Sequence, residues 1–90
     1  MILELKSVGN PDYGQDPYQP LWGCPDLSVP INSLREASSL CRDYIEEYNL
    51  GGGGWAGGQI FDEGKLVAYV SFNGKIWSPD RNELNPYAAL

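Results

Sequence analysis

The chain has ninety residues, twelve acidic, six basic and no histidine, for a formal charge of −6 at pH 7. That length supports one hydrophobic core but not a second, and 42% apolar content with eleven aromatic residues argues against overall disorder. Lys6, Arg35, Arg42, Lys65, Lys75 and Arg81 are scattered singly, whereas a nucleic-acid binder clusters its bases to neutralise phosphates, so direct binding to DNA or RNA is not expected.

Residues 2–8 alternate well enough for a first strand, with Leu3 and Leu5 on one face. The opening Met-Ile-Leu-Glu-Leu-Lys-Ser lacks the basic-then-apolar order of a secretion signal. No stretch approaches the roughly 18–20 apolar residues of a membrane span. These features predict a cytoplasmic protein with no membrane partner, in which Cys24 and Cys41 stay reduced.

Residues 10–31 hold Pro11, Pro17, Pro20, Pro25 and Pro30, with Gly14 and Gly23 between them. Each proline removes a backbone donor and restricts the residue before it, which predicts a long loop. The loop has no Lys or Arg, and it sets Tyr13, Tyr18 and Trp22 beside Asp12, Asp16 and Asp26. Tyr and Trp dominate interface hot spots. These six residues are the candidate partner-binding set, suited to a protein partner with a basic surface. The competing structural use is that Leu21 and Trp22 cover an exposed sheet face.

Residues 33–50 read as a helix. Ser33 is the expected N-cap, with Glu36 completing a capping box. Leu34, Ala37, Leu40, Cys41, Tyr44, Ile45 and Tyr48 recur as one apolar stripe. Arg35, Ser38, Ser39, Arg42, Asp43, Glu46 and Glu47 lie opposite. Gly51 is placed to end the helix in a left-handed conformation.

Residues 55–78 read as a three-stranded meander over 55–61, 65–72 and 75–78. Asn73-Gly74 predicts a two-residue type I′ hairpin, setting Val70 opposite Trp77 and Ser71 opposite Ile76. Asp62-Glu63-Gly64 predicts a three-residue loop that sets Ile60 opposite Leu66. Ile60, Leu66, Ala68, Val70 and Trp77 would then face the helix, while Phe61, Val67, Tyr69 and Ile76 form an apolar second face. Residues 79–90 are an unpatterned tail. The expected fold is α+β: one helix packed on a small antiparallel sheet, made of the N-terminal strand and the meander, with a long Pro-rich loop.

Catalytic chemistry finds no footing in this composition. Without histidine no Ser or Cys gains an imidazole base. Glu46 and Glu47 diverge on a helix, and Asp62 and Glu63 belong to a turn, so no catalytic, cofactor-binding or metal-ligating residue is assigned. Gly52, Gly54 and Gly57 satisfy a G-x-G-x-x-G spacing, but they follow a helix C-terminus instead of opening a helix, and that end repels phosphate. Gly57 and Gly58 suit a bulge or a close backbone approach.

The helix 34–48, the Gly-Trp-Ala-Gly-Gly-Gln-Ile-Phe segment at 54–61 and Tyr-Val-Ser-Phe-Asn-Gly-Lys-Ile-Trp at 69–77 resemble small uncharacterised accessory proteins of bacterial phages and plasmids. The resemblance implies an acidic inhibitor of host defence, of the anti-CRISPR kind, and brings no catalytic residues; the charge of −6 and the base-free aromatic loop add the expectation that its carboxylates imitate nucleic-acid phosphates. The expectation is therefore a non-enzymatic protein-binding module, monomeric or homodimeric. The alternatives are a small-ligand or nucleotide binder using the Gly-rich segment, and a structural domain that oligomerises through its second sheet face.

Overall fold

A computed structural model describes residues 1–9, 11–16, 18–19 and 23–87. One helix packs on a six-stranded antiparallel sheet, the α+β arrangement expected. The strands are β1 (Ile2–Leu5), β2 (Leu27–Pro30), β3 (Gln59–Asp62), β4 (Lys65–Val70), β5 (Ile76–Trp77) and β6 (Glu83–Leu84), in spatial order β2-β1-β3-β4-β5-β6. The helix α1 spans Leu34–Glu47.

The outer strands extend the sheet beyond the four expected. The stretch anticipated as loop at 10–31 contains a 3-10 turn at Pro11–Tyr13 and ends in β2, which pairs with β1 from Leu5↔Leu27 to Ile2↔Pro30. Pro30 is tolerated there because β2 is an edge strand. The tail supplies β6, which pairs Ile76↔Leu84 and Trp77↔Glu83. The expected strands are also shorter than anticipated. β1 stops at Leu5, with Ser7 making an isolated bridge to Trp55, and β3 begins only at Gln59.

The helix forms as its pattern predicts. Ser33 is extended and its hydroxyl accepts the Glu36 N–H at 3.1 Å. Leu34, Ala37, Cys41, Tyr44 and Ile45 are buried, and Leu40 and Tyr48 pack against the same core. The C-terminus differs from expectation, since Gly51 has φ −89° and opens the 3-10 turn Gly52–Gly54 instead of ending the helix. Asn49 takes the left-handed position, φ 52°. Its N–H reaches Glu46 O at 3.2 Å and the Leu50 N–H reaches Ile45 O at 2.9 Å. This is the Schellman pair of bonds, and the buried Leu50 and Ile45 supply its usual apolar contact.

The two hairpins have exchanged the turn types expected of them. Asp62 pairs with Lys65, leaving a two-residue loop, Glu63-Gly64, with positive φ at both positions (52° and 79°) as a type I′ turn requires. A bulge then gives β4 one extra residue, Val67, so Ile60 opposes Ala68 while Leu66 opposes Phe61. At the other hairpin only Gly74 has positive φ (86°). The Asn73 side chain accepts the Ser71 hydroxyl and the Lys75 N–H, which favours a right-handed Asn73 and a three-residue loop. Ser71 N–H bonds Lys75 O, Val70 opposes Ile76, and Tyr69 opposes Trp77.

That one-residue slip turns β5 over. The core face becomes Leu3, Ile60, Ala68, Val70 and Ile76, each at most 2% exposed. Trp77 and Leu66, expected in the core, move to the second face, and Ile76 moves in. Val67, expected on the second face, packs against the core.

Candidate functional site

The expected partner-binding set lies on a segment anchored at both ends. At the near end, Gly9 N–H bonds Gln19 O at 2.9 Å. A Cβ at Gly9 would overlap the Asp16 backbone, so only glycine lets the strands of this loop come so close. Gly14 N–H closes the 3-10 turn on Pro11 O at 3.0 Å. The Asp16 carboxylate accepts the Tyr18 N–H at 2.9 Å, an Asx-type turn.

At the far end the anchor comes from the helix. Tyr44 donates to Pro25 O at 2.8 Å, and the buried Cys24 thiol lies 3.1 Å from the same phenol oxygen. Burial raises the Tyr44 phenol pKa above its ordinary value, and the Cys24 contact adds to the rise, while a Ser7 hydrogen bond opposes it. Tyr44 also stacks tilted against Tyr48 (4.9 Å) and Trp55 (5.9 Å).

Between these anchors the tyrosines point to water. Tyr13 is 79% and Tyr18 89% exposed, and Asp16 and Asp26 are exposed too. No packing requirement accounts for large aromatic surface held out in this way. The Asp12 backbone belongs to the 3-10 turn. The Asp12 side chain and Trp22 lie outside the described residues, as does the proposed covering of the sheet by Leu21 and Trp22.

Charge reinforces the segment's character. Residues 10–50 hold seven acidic and two basic residues, a net of −5 out of the total of −6. Both bases are engaged with aromatic rings. The Arg35 guanidinium lies 5.4 Å from the Tyr87 ring centre, and that of Arg42 lies 5.8 Å from Phe72, whose carbonyl it also bonds at 2.6 Å. The last helical turn contains no base to balance Glu46 and Glu47 against the helix dipole.

The Gly-rich segment is stitched into the sheet. Val8 N–H bonds Gly54 O, Gly58 N–H bonds Glu4 O, and Val70 N–H bonds Gly58 O. A Cβ at Gly57 would meet the Lys6 and Glu4 backbone, and one at Gly58 (φ 98°) the Val70 carbonyl, the close approach expected of these glycines. Cys41, fully buried on the helix, has its thiol pushed up to about 12 by burial, which leaves it neutral and unreactive at neutral pH. Among the described residues, no group of three or more His, Cys, Asp or Glu is placed to hold a metal, and no helix is long and apolar enough to cross a membrane.

Sequence reasoning picked out the aromatic and acidic residues but missed how they are held. The helix stripe named Tyr44 as core, and nothing in its spacing indicated that its hydroxyl would reach Pro25. The arrangement defines an α+β domain that displays tyrosines and carboxylates on a tethered segment. No family model, curated protein or solved structure matches the chain.

Proposed function

We propose that this chain is a non-enzymatic protein-binding module that engages a basic, partly apolar surface on its partner through residues 10–30. The observation that carries the reading is the exposure of Tyr13 and Tyr18, 79% and 89%, on a segment fastened at both ends. Anchoring lowers the entropy lost on binding, and exposed tyrosines supply large contact area for few rotatable bonds. The base-free carboxylates steer a positive partner toward them. A nucleic-acid-handling complex presents such a surface, so the module acts as an inhibitor that fills a nucleic-acid path, a role suited to a mobile element opposing host defence in the bacterial cytoplasm.

The test is affinity purification from bacterial lysate with quantitative mass spectrometry, comparing wild type with Tyr13→Ala, Tyr18→Ala and a charge-reversed Asp16/Asp26 variant. Capture of a nucleic-acid-binding or defence protein should fall by more than about tenfold for the tyrosine variants. Charge reversal should chiefly slow association and reduce its salt dependence. Charge reversal at Glu46 and Glu47 is the matched control. Loss of capture in that control, with the loop variants unaffected, would move the interface to the helix and overturn this reading.

A further inference from the structure

The buried Gly9 needs to be glycine for a reason that differs from its neighbours'. Gly14 and Gly23 have φ of 72° and 80°, and an added Cβ on either would meet nothing within 4 Å, so their requirement is conformational. Gly9 is the reverse case. Its φ lies outside the left-handed region, yet an added Cβ would come within 2.1 Å of Asp16 O, 2.7 Å of the Asp16 carbonyl carbon and 2.9 Å of its amide nitrogen. All three are backbone atoms, so no change of rotamer relieves the overlap and the two chain segments must part.

Asp16 carries such a displacement to the exposed tyrosine beside it. Its carbonyl accepts the Gln19 N–H at 3.3 Å and its carboxylate accepts the Tyr18 N–H at 2.9 Å, while the Gly9 N–H bonds Gln19 O at 2.9 Å. The core is insulated from the same displacement. β1 ends at Leu5, and the Val8 N–H is bonded to Gly54 O at 3.0 Å, one residue before the contact with Asp16 begins.

We propose that Gly9 is the positioning residue of the binding segment: its missing side chain lets the loop clasp on Asp16, and the clasp sets how Tyr18 is presented before any partner arrives. This rests on the reading of Tyr13 and Tyr18 as the contact surface. Gly9 is buried and acts only through Asp16. A clasped loop loses less freedom on binding than an open one, so opening it weakens binding with every contact residue still in place.

Gly9→Ala in the full chain tests the proposal through two readouts. Amide hydrogen exchange followed by NMR needs no partner. In the wild type the Gly9, Tyr18 and Gln19 amides should exchange at least about tenfold more slowly than in an unstructured peptide. In Gly9→Ala the three positions should lose that protection, while Val8 keeps its own and the urea midpoint stays near wild type. The second readout is titration of the purified protein that the wild-type chain captures. Its Kd should rise by about tenfold for Gly9→Ala and stay unchanged for Gly52→Ala, where an added Cβ has room. Unprotected wild-type amides overturn the proposal without needing any variant, and so does a Gly9→Ala chain that keeps its protection or binds as wild type does. Weaker binding accompanied by an equivalent loss of global stability also overturns it, since Gly9 would then serve the fold alone. Should the wild type capture nothing, or the tyrosine variants bind normally, the functional reading fails instead, and the exchange rates still decide whether Gly9 holds the loop.

Discussion

The Tyr44 hydroxyl lies 2.8 Å from the carbonyl oxygen of Pro25, so a core side chain of the helix fastens one end of the acidic segment. The same oxygen meets the buried Cys24 thiol, and the ring rests between Tyr48 and Trp55. One residue thus couples the packing of the core to the position of a solvent-exposed segment 19 residues earlier in the chain.

Tyr44→Phe keeps the ring and removes the bond. Its expected cost is about 0.5–1.5 kcal/mol, read as a lower urea midpoint with an unchanged slope. Limited proteolysis should cut faster between residues 10 and 26. Unchanged midpoint and cleavage rate would show that the segment is held elsewhere.

The register of the last hairpin can be read by coupling. Val70 and Ile76 oppose each other on the core face, and Trp77 lies on the reverse. Ile76→Ala should cost about 2–5 kcal/mol. A double-mutant cycle should couple Val70→Ala to Ile76→Ala by at least about 0.5 kcal/mol, with Val70→Ala and Trp77→Ala closer to additive. The opposite pattern would restore the two-residue Asn73-Gly74 turn.

Two glycines in the same run should respond in opposite directions. At Gly58 a methyl group would overlap the Val70 carbonyl at φ 98°, so Gly58→Ala should destabilise by at least about 1–3 kcal/mol. At Gly52 the nearest atom is Phe72 Cδ1 at 3.9 Å, and Gly52→Ala should be neutral or stabilising by about 0.4–1 kcal/mol. Thermal denaturation of the two variants side by side checks this, and equal effects would contradict the close approach of Gly58 to β4.

Alkaline pH should unfold the protein for a specific reason. The Cys41 thiol is raised from 9.0 to about 12, and the Tyr44 phenol is raised above 10.0, both chiefly by burial. Above pH 9 the unfolded chain gives up protons that the folded chain retains. Stability from Cys41 is therefore fully present below about pH 9 and falls as pH rises toward 12, with a slope approaching about 1.4 kcal/mol per unit for one proton. Cys41→Ala should flatten the fall between pH 9 and 10. A wild-type profile without that fall would place the thiol in water.

Local patterns were sufficient for the helix, its Ser33 cap and the inward face of β1, because each depends on residues within a turn or two of one another. The candidate segment was legible for the same reason, since its prolines, tyrosines and missing bases are adjacent in sequence. The turns were less legible. Asn73-Gly74 and Glu63-Gly64 both accommodate a type I′ turn, and the choice followed from side-chain bonds at Asn73 and from the bulge at Val67. Asn49 capped the helix in place of Gly51 because the cap position depends on where the buried Leu50 can reach Ile45.

By itself the sequence determined the fold class, the helix and its buried stripe, and the acidic, aromatic character of residues 10–30. Only the tertiary structure decided the strands β2 and β6, the side of the sheet on which Ile76 and Trp77 lie, and the Tyr44 anchor. Four-residue and two-residue strands carry too little periodicity to announce themselves. Their backbone groups are satisfied by partners distant in sequence, as Leu27–Pro30 is by Ile2–Leu5 and Glu83–Leu84 is by Ile76–Trp77.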